Sequence, residues 1–155
     1  MNLRVLSRSR RKPRVGDVFV LQPTARTYLF GRVIVTVANA GGFPNSNLVY
    51  IYRYVARSKT SVPALHRSVL LIPPIMTNRL PGSRGYFELV EHRRLLPSDR
   101  YPKHAFSDDR GWLYDELGRR LRRASGPVGD WALHSHRTID DAVSEAEPPP
   151  VWWTP

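Results

Sequence analysis

Residues 48–55, with the sequence LVYIYRYV, form the most regular alternating segment of the chain. Successive side chains of a β-strand point to opposite faces, so the segment places Tyr50, Tyr52 and Tyr54 on one face and mostly aliphatic residues on the other. Large apolar groups on both faces are typical of a strand that is covered on both sides. We therefore predict that residues 48–55 form a central strand of a sheet.

The segments before this strand predict its first neighbours. Residues 15–21 and 28–37 are rich in β-branched and aromatic side chains, as strands are. Gly31, in the middle of the second segment, indicates a bulge or a sharp bend. Residues 39–47 are rich in Gly, Asn and Ser, and this composition predicts a loop.

The segments after it predict further strands and one helix. Residues 86–92 form a strand by composition, residues 112–121 a hairpin, and residues 131–136 another strand. The helix is expected to run from an N-cap at Thr138 to Ala146, where a proline run ends it. Together the segments predict the α+β class, with a mainly antiparallel, barrel-like β core and one C-terminal helix.

The length and the composition predict how the chain is divided. A chain of 155 residues has the ordinary size of one domain. We expect a basic, disordered leader over residues 1–13, one β-rich domain over residues 14–147, and a tail rich in Pro and Trp over residues 148–155. The chain contains no cysteine, and it has neither a signal-peptide pattern nor a long apolar stretch. We therefore expect a cytoplasmic protein with no membrane partner.

The charge is distributed unevenly along the chain. Residues 1–87 hold 14 basic side chains and one acidic side chain, Asp17, whereas residues 88–155 hold 10 basic and 12 acidic side chains. The two parts therefore carry +13 and −2. Most of the cations are arginine, whose planar fork pairs with carboxylates and phosphates in bidentate geometry. Such a charge attracts acidic partners.

Residues that could support catalysis or bind a metal are sparse. His134 and His136 would share one face of a strand, but the sequence supplies no third ligand at a telling spacing. The adjacent pairs Asp108-Asp109 and Asp140-Asp141 are explained by a turn and by helix capping. Since no phosphate loop or nucleophile elbow is present, we predict no catalytic centre, no metal and no cofactor, while metal binding by the two histidines stays open.

Two kinds of partner remain after catalysis is set aside. A basic nucleic-acid-binding module is one interpretation, because arginine clusters can follow a phosphate backbone and the tyrosines of residues 48–55 could stack on bases or simply pack in the core. A protein partner with an acidic contact surface is the other. The candidate partner-binding residues are Arg32, Arg53, Arg79, Arg84, Arg119, Arg120, Arg122, Arg123, Trp152 and Trp153.

Several blocks of the chain, taken in order, resemble immunity protein family 26, a family of small bacterial proteins linked to polymorphic toxin systems. The blocks are KPRVGDVF at residues 12–19, FGRV at 30–33, LLIPPIMTN at 70–78, GYFE at 85–88 and YDELGR at 114–119. The resemblance extends over most of residues 12–146. It implies a non-catalytic cytoplasmic protein that binds and neutralises a cognate toxin. The net charge of +11 argues against an inhibitor that imitates nucleic acid, and neither the toxin nor the oligomeric state follows from the sequence.

Overall fold

The computed structural model describes residues 2–155 and contains two β-sheets and two α-helices. None of the helices in these residues is both long and apolar enough to cross a membrane. The elements follow one another as β1 (Asp17–Thr24), β2 (Thr27–Ala40), β3 (Phe43–Ala56), β4 (Ile75–Thr77), α1 (Leu80–Ser83), β5 (Glu88–His92), β6 (Ala105–Ser107), β7 (Leu113–Tyr114), β8 (Arg120–Leu121), β9 (Val128–Asp130), α2 (His136–Ser144) and β10 (Val151–Trp152).

The larger sheet has the strand order β10-β3-β2-β1-β5, and β4 also pairs with β3. All of its pairs are antiparallel except the one between β10 and β3. The predicted α+β class with a mainly antiparallel core and a C-terminal helix is confirmed. The sheet is open rather than closed, so the barrel-like description fits it only loosely. Strand β3 has neighbours on both sides, as the alternation of residues 48–55 predicts.

The turn between β2 and β3 is much tighter than the predicted loop over residues 39–47. Ala40 pairs directly with Phe43, and only Gly41 and Gly42 lie between the strands. Both glycines have positive φ, +61° and +101°, which a two-residue hairpin turn requires and which glycine adopts without strain. The loop prediction is wrong because pairing with β2 extends the strand through a polar segment that has weak strand propensity of its own.

Alternate residues of the central strands contribute to two apolar clusters, one on each face of the larger sheet. Tyr50 and Tyr52 are fully buried in the first cluster, together with Phe106 of the smaller sheet. Ile139 and Val143 of α2 belong to the second cluster. The two tyrosines are therefore core residues and their ring faces cannot stack on bases, so the core interpretation is the correct one for them.

Gly31 lies in very close contact with the ring of Phe19, a member of the second cluster. It pairs with Phe19 across β1 and β2, and a Cβ at this position would collide with the Phe19 ring. That ring stacks on Phe87, with 4.2 Å between the ring centroids. The absence of a side chain at Gly31 thus lets an aromatic pair lie flat against the sheet.

The C-terminal region differs from its predicted boundaries. Residues 131–136 are not a strand; β9 lies just before them and pairs in parallel with β6. Helix α2 begins at His136 with Ser135 as its N-cap, because Ser135 Oγ accepts from Thr138 N and Thr138 Oγ1 accepts from Ser135 N. The predicted N-cap at Thr138 rested on Asp141, three positions further on, which resembles a capping box. The reciprocal bonds place the cap at Ser135 instead.

The outer edge of β3 is covered by three separate segments. Strand β4 pairs with residues 47–49. Leu71 N then donates to Ile51 O, 2.8 Å away, and β10 follows, with Trp153 N donating to Val55 O at 2.9 Å. This three-part cover satisfies an edge that would otherwise present unpaired backbone groups.

The N-terminal segment lies against the domain. Leu3 is 8% exposed, and the backbone N–H groups of Leu6 and Ser9 donate to Gly85 O and Gly82 O at 2.7 and 3.0 Å. Two leucines in the segment find apolar neighbours that the composition does not reveal. The division of the chain into leader, domain and tail stays a prediction.

Candidate partner-binding groove

A groove of about 470 Å³ crosses one face of the larger sheet. Its floor is apolar and is formed by side chains of four strands and the loop before β5, among them Phe19, Val33, Val49 and Phe87. The N-terminal segment forms one wall and α1 forms the other. We call this concave surface the basic groove.

The rim of the basic groove is cationic. Arg8, Arg10 and Arg11 of the N-terminal segment and Arg79 at the N-cap of α1 line it. All four side chains are exposed, and the lining contains no Asp, Glu or His. A concave site with an apolar floor and a few fixed charges is the usual form of a recognition pocket, here with a preference for acidic groups.

Asp17 anchors the N-terminal wall from below. Its carboxylate is fully buried and accepts from Arg14 N at 2.8 Å. Arg11 Nη2 lies 3.1 Å from one carboxylate oxygen, and His92 Nδ1 lies 3.0 Å from the other. The one acidic side chain of the first 87 residues therefore holds Arg11 at the rim, and it does not itself line the groove.

The predicted partner-binding residues occupy several different places. Arg79 lines the basic groove, whereas Arg84 ends α1 on its other side, next to His136. Arg53 is half-buried. Arg32 is only 3% exposed: its Nη2 donates to Arg93 O and Arg94 O, both at 2.8 Å, and its Nη1 lies 3.4 Å from Asp99. Arg32 is thus an internal cross-link and is omitted from the contact set proposed below.

The remaining predicted residues lie outside the groove lining. Arg119, Arg120, Arg122 and Arg123 are exposed on and after the β7–β8 hairpin. Trp152 is exposed next to Arg57, while Trp153 is half-buried and its ring is edge-on to Phe30, with the centroids 6.4 Å apart. Their role in partner binding stays a prediction.

Sequence reasoning missed that the leader arginines and Arg79 share one surface. The basic run at residues 8–12 was visible, but its position depends on the backbone bonds from Leu6 and Ser9 to the end of α1. Those bonds join residues about 75 positions apart in the chain, and no local pattern indicates such a pairing.

The two histidines considered as metal ligands have different neighbours. His134 Nδ1 lies 3.1 Å from Thr138 Oγ1, and burial lowers the pKa of His134. His136 stacks on Tyr86, 3.9 Å between centroids, and burial together with Arg137 lowers its pKa. Within residues 2–155 no group of three or more His, Asp or Glu residues is placed to hold a metal ion.

A buried polar network connects the two sheets. Tyr50 Oη lies 2.7 Å from His104 Nε2 and accepts from Tyr101 N at 2.9 Å. Because Tyr50 Oη accepts from a backbone N–H, it donates its own proton to His104 Nε2. The ring proton of His104 then lies on Nδ1, which is 3.4 Å from Glu116 Oε1. Burial raises the pKa of Tyr50 to about 12, so the hydroxyl keeps its proton. The order Tyr–His–Glu resembles a nucleophilic relay, but Tyr50 is fully buried and its role is structural.

This network predicts a pH-dependent part of the stability. Burial alone would raise the pKa of Glu116, but hydrogen bonds from His104 outweigh it and lower the pKa from 4.5 to about 2. A lowered folded-state pKa stabilises the fold above pH 4.5, and that contribution is lost as the pH falls towards 2. We expect Glu116→Gln to cost about 2 kcal/mol of unfolding free energy at neutral pH, after allowance for partial solvent exposure, and progressively less in acid.

Urea unfolding of the wild type and of Glu116→Gln between neutral pH and pH 2 measures the difference in unfolding free energy. A Glu145→Gln variant, changed at an exposed position, is the control. A difference that stays constant over the whole range would contradict the assignment.

A family model described as immunity protein 26 matches residues 14–111. This range includes β1 to β6 and the floor of the basic groove, whereas β7 to β10 and α2 lie beyond it. No curated protein and no solved structure matches the chain. Since the match extends over more than half of the 155 residues, the chain belongs to the immunity protein 26 family.

Proposed function

We propose that the protein binds and neutralises a cognate bacterial toxin through the basic groove, without catalysis. Family membership supports an immunity function in general. The observation that carries the finer proposal is the groove itself, which has four arginines on its rim, no carboxylate in its lining and an apolar floor. A toxin surface with acidic side chains around a protruding apolar group fits this arrangement.

The physical basis of recognition is the combination of charge and enclosure. Guanidinium–carboxylate pairs form charge-assisted hydrogen bonds, which strengthen as the partner excludes water. An apolar side chain inserted between the arginines would bury area against Phe19 and Phe87 and so act as an anchor. The +13 charge of residues 1–87 would accelerate encounter with an acidic partner at low ionic strength.

The same lining supports a binding role over an enzymatic one. The groove contains hydroxyls, such as those of Ser9 and Ser83, but no His, Asp, Glu or Lys lines it to act as a general base. We therefore propose that neutralisation works by occupation of the toxin surface. The proposal includes a cytoplasmic location, as expected from the sequence.

Co-expression tests the proposal directly. A candidate toxin from the same gene neighbourhood is expressed from an inducible promoter, alone or together with this protein, and growth and co-purification are measured. We expect the protein to restore growth and to elute with the toxin in one complex. If growth is not restored and no complex is found, toxin neutralisation is refuted. If amounts of the protein far below those of the toxin restore growth, the occupation mechanism is refuted.

A further inference from the structure

Outside the basic groove, planar groups stack on one another along the β7–β8 hairpin. The ring of Trp131 stacks on Tyr114 with 4.5 Å between centroids. Arg120 Cζ lies 5.6 Å from the Tyr114 ring and 3.8 Å from the Trp112 ring, and Arg110 Cζ lies 4.8 Å from Trp112. We call these five residues the arginine–aromatic stack.

The local backbone makes this stack rigid. Tyr114 and Arg120 are paired across β7 and β8, and the turn between the strands uses Gly118 at φ +87°. Asp115 Oδ1 accepts two turn N–H groups at 2.9 Å each. The Asp108 carboxylate accepts from Trp112 N at 2.9 Å and from the Tyr114 hydroxyl at 3.1 Å. These carboxylates are used in holding the hairpin together.

The arginines of this region have no carboxylate partners. Arg110, Arg119, Arg120, Arg122 and Arg123 are all exposed, and in residues 2–155 none of them lies within 4.0 Å of a carboxylate oxygen. Elsewhere in the same chain arginines do pair with acids, as Arg11 does with Asp17. Free guanidinium groups next to a ring that is 43% exposed, that of Trp112, are an arrangement that favours a ligand with both negative charge and planar faces.

We propose that the arginine–aromatic stack, with Arg122 and Arg123, binds single-stranded nucleic acid. Bases have planar faces that stack on Trp and Arg, and phosphates pair with the free guanidinium groups. A duplex keeps its base faces covered, so it could use only the charges. An acidic protein face would pair with the arginines as well, but it would offer no planar groups to the part of the Trp112 ring that Arg110 and Arg120 leave exposed. This proposal is independent of toxin binding through the basic groove.

Fluorescence anisotropy of labelled oligonucleotides tests it with the full chain. The probes are oligo-dT and oligo-U of about 12 nucleotides and a duplex of the same length, at about 50 and 200 mM salt. We expect both single strands to bind with micromolar affinity at the higher salt and at least about tenfold more tightly than the duplex. Binding at low salt only, or equal binding of single strand and duplex, would overturn the proposal, since charge alone would explain either result.

Variants separate stacking from charge. Trp112→Ala is expected to weaken single-strand binding about tenfold with an unchanged salt slope, and Trp112→Phe to retain most of the affinity. Arg122→Ala with Arg123→Ala should reduce the salt slope by about one to two. Arg137→Ala, an exposed arginine on α2, is the control. A folded Trp112→Ala variant, judged by an unchanged Tm, that binds like wild type would overturn the proposal.

Discussion

Replacing Arg8 and Arg79 together by glutamate is expected to weaken toxin binding by about 100- to 1000-fold and to abolish growth protection in co-expression. The two residues lie on opposite walls of the basic groove, one on the N-terminal segment and one at the start of α1. Each reversal removes a charge-assisted pair and places like charges face to face in a partly enclosed site. Together the reversals should cost about 3–4 kcal/mol of binding free energy.

A matched variant distinguishes the groove from the overall charge. Arg4→Glu with Arg137→Glu changes the net charge by the same amount at exposed positions outside the groove lining. It should slow association at low salt and leave the dissociation rate nearly unchanged. Surface plasmon resonance resolves the two rates, and the Tm of each variant checks folding. Equal loss of affinity in both double variants would move the binding site away from the groove.

Replacing Asp17 by alanine is expected to produce the largest loss of stability, about 3 kcal/mol of unfolding free energy. The carboxylate is fully buried and accepts from Arg14 N, and the side chains of Arg11, Arg14 and His92 lie around it. Its removal therefore leaves this N–H and three basic side chains without an acceptor. The loss is large because the N–H loses its hydrogen bond, the two arginines are left facing each other, and the space of a buried side chain is left partly empty.

Guanidinium unfolding followed by tryptophan fluorescence measures this loss. Asp17→Asn keeps the shape and one acceptor oxygen and should lie between wild type and Asp17→Ala, whereas the exposed Asp109→Ala should change stability by less than about 0.5 kcal/mol. Asp17→Ala should also weaken toxin binding moderately, since Arg11 loses its anchor. An unfolding free energy equal to that of Asp109→Ala would show that the buried carboxylate is not a stabilising centre.

The sequence predicted the secondary structure correctly where the local pattern agrees with the tertiary packing. Alternation over residues 48–55 identified a strand that is covered on both sides, and the hairpin over residues 112–121 was predicted from its short strands and its turn. The tight turn at Gly41 and Gly42 was hidden inside a polar stretch whose strand structure depends on pairing with β2 and β4. Strand β9 was missed because it has only three residues and its parallel partner lies over 20 positions earlier.

The candidate site was harder to predict than the fold. Arg32 has the same sequence character as the surface arginines, and only the carbonyls of residues 93 and 94 show that its charge is used inside the protein. The groove requires the N-terminal segment to dock on α1, which depends on long-range backbone bonds and two leucines. Charge counting found the basic half of the chain, but it could not separate anchoring arginines from free ones.

The three-part cover of the β3 edge has a consequence for synthesis of the chain. Residues 151–153 complete the cover, and they leave the ribosome long after β3 and its partner β2. Until then the backbone groups of Tyr54 and Val55 are open to a strand from another nascent chain, which is a route to co-translational misassembly. Full protection of this edge therefore waits until residues 151–153 have been made, about 95 residues after the end of β3.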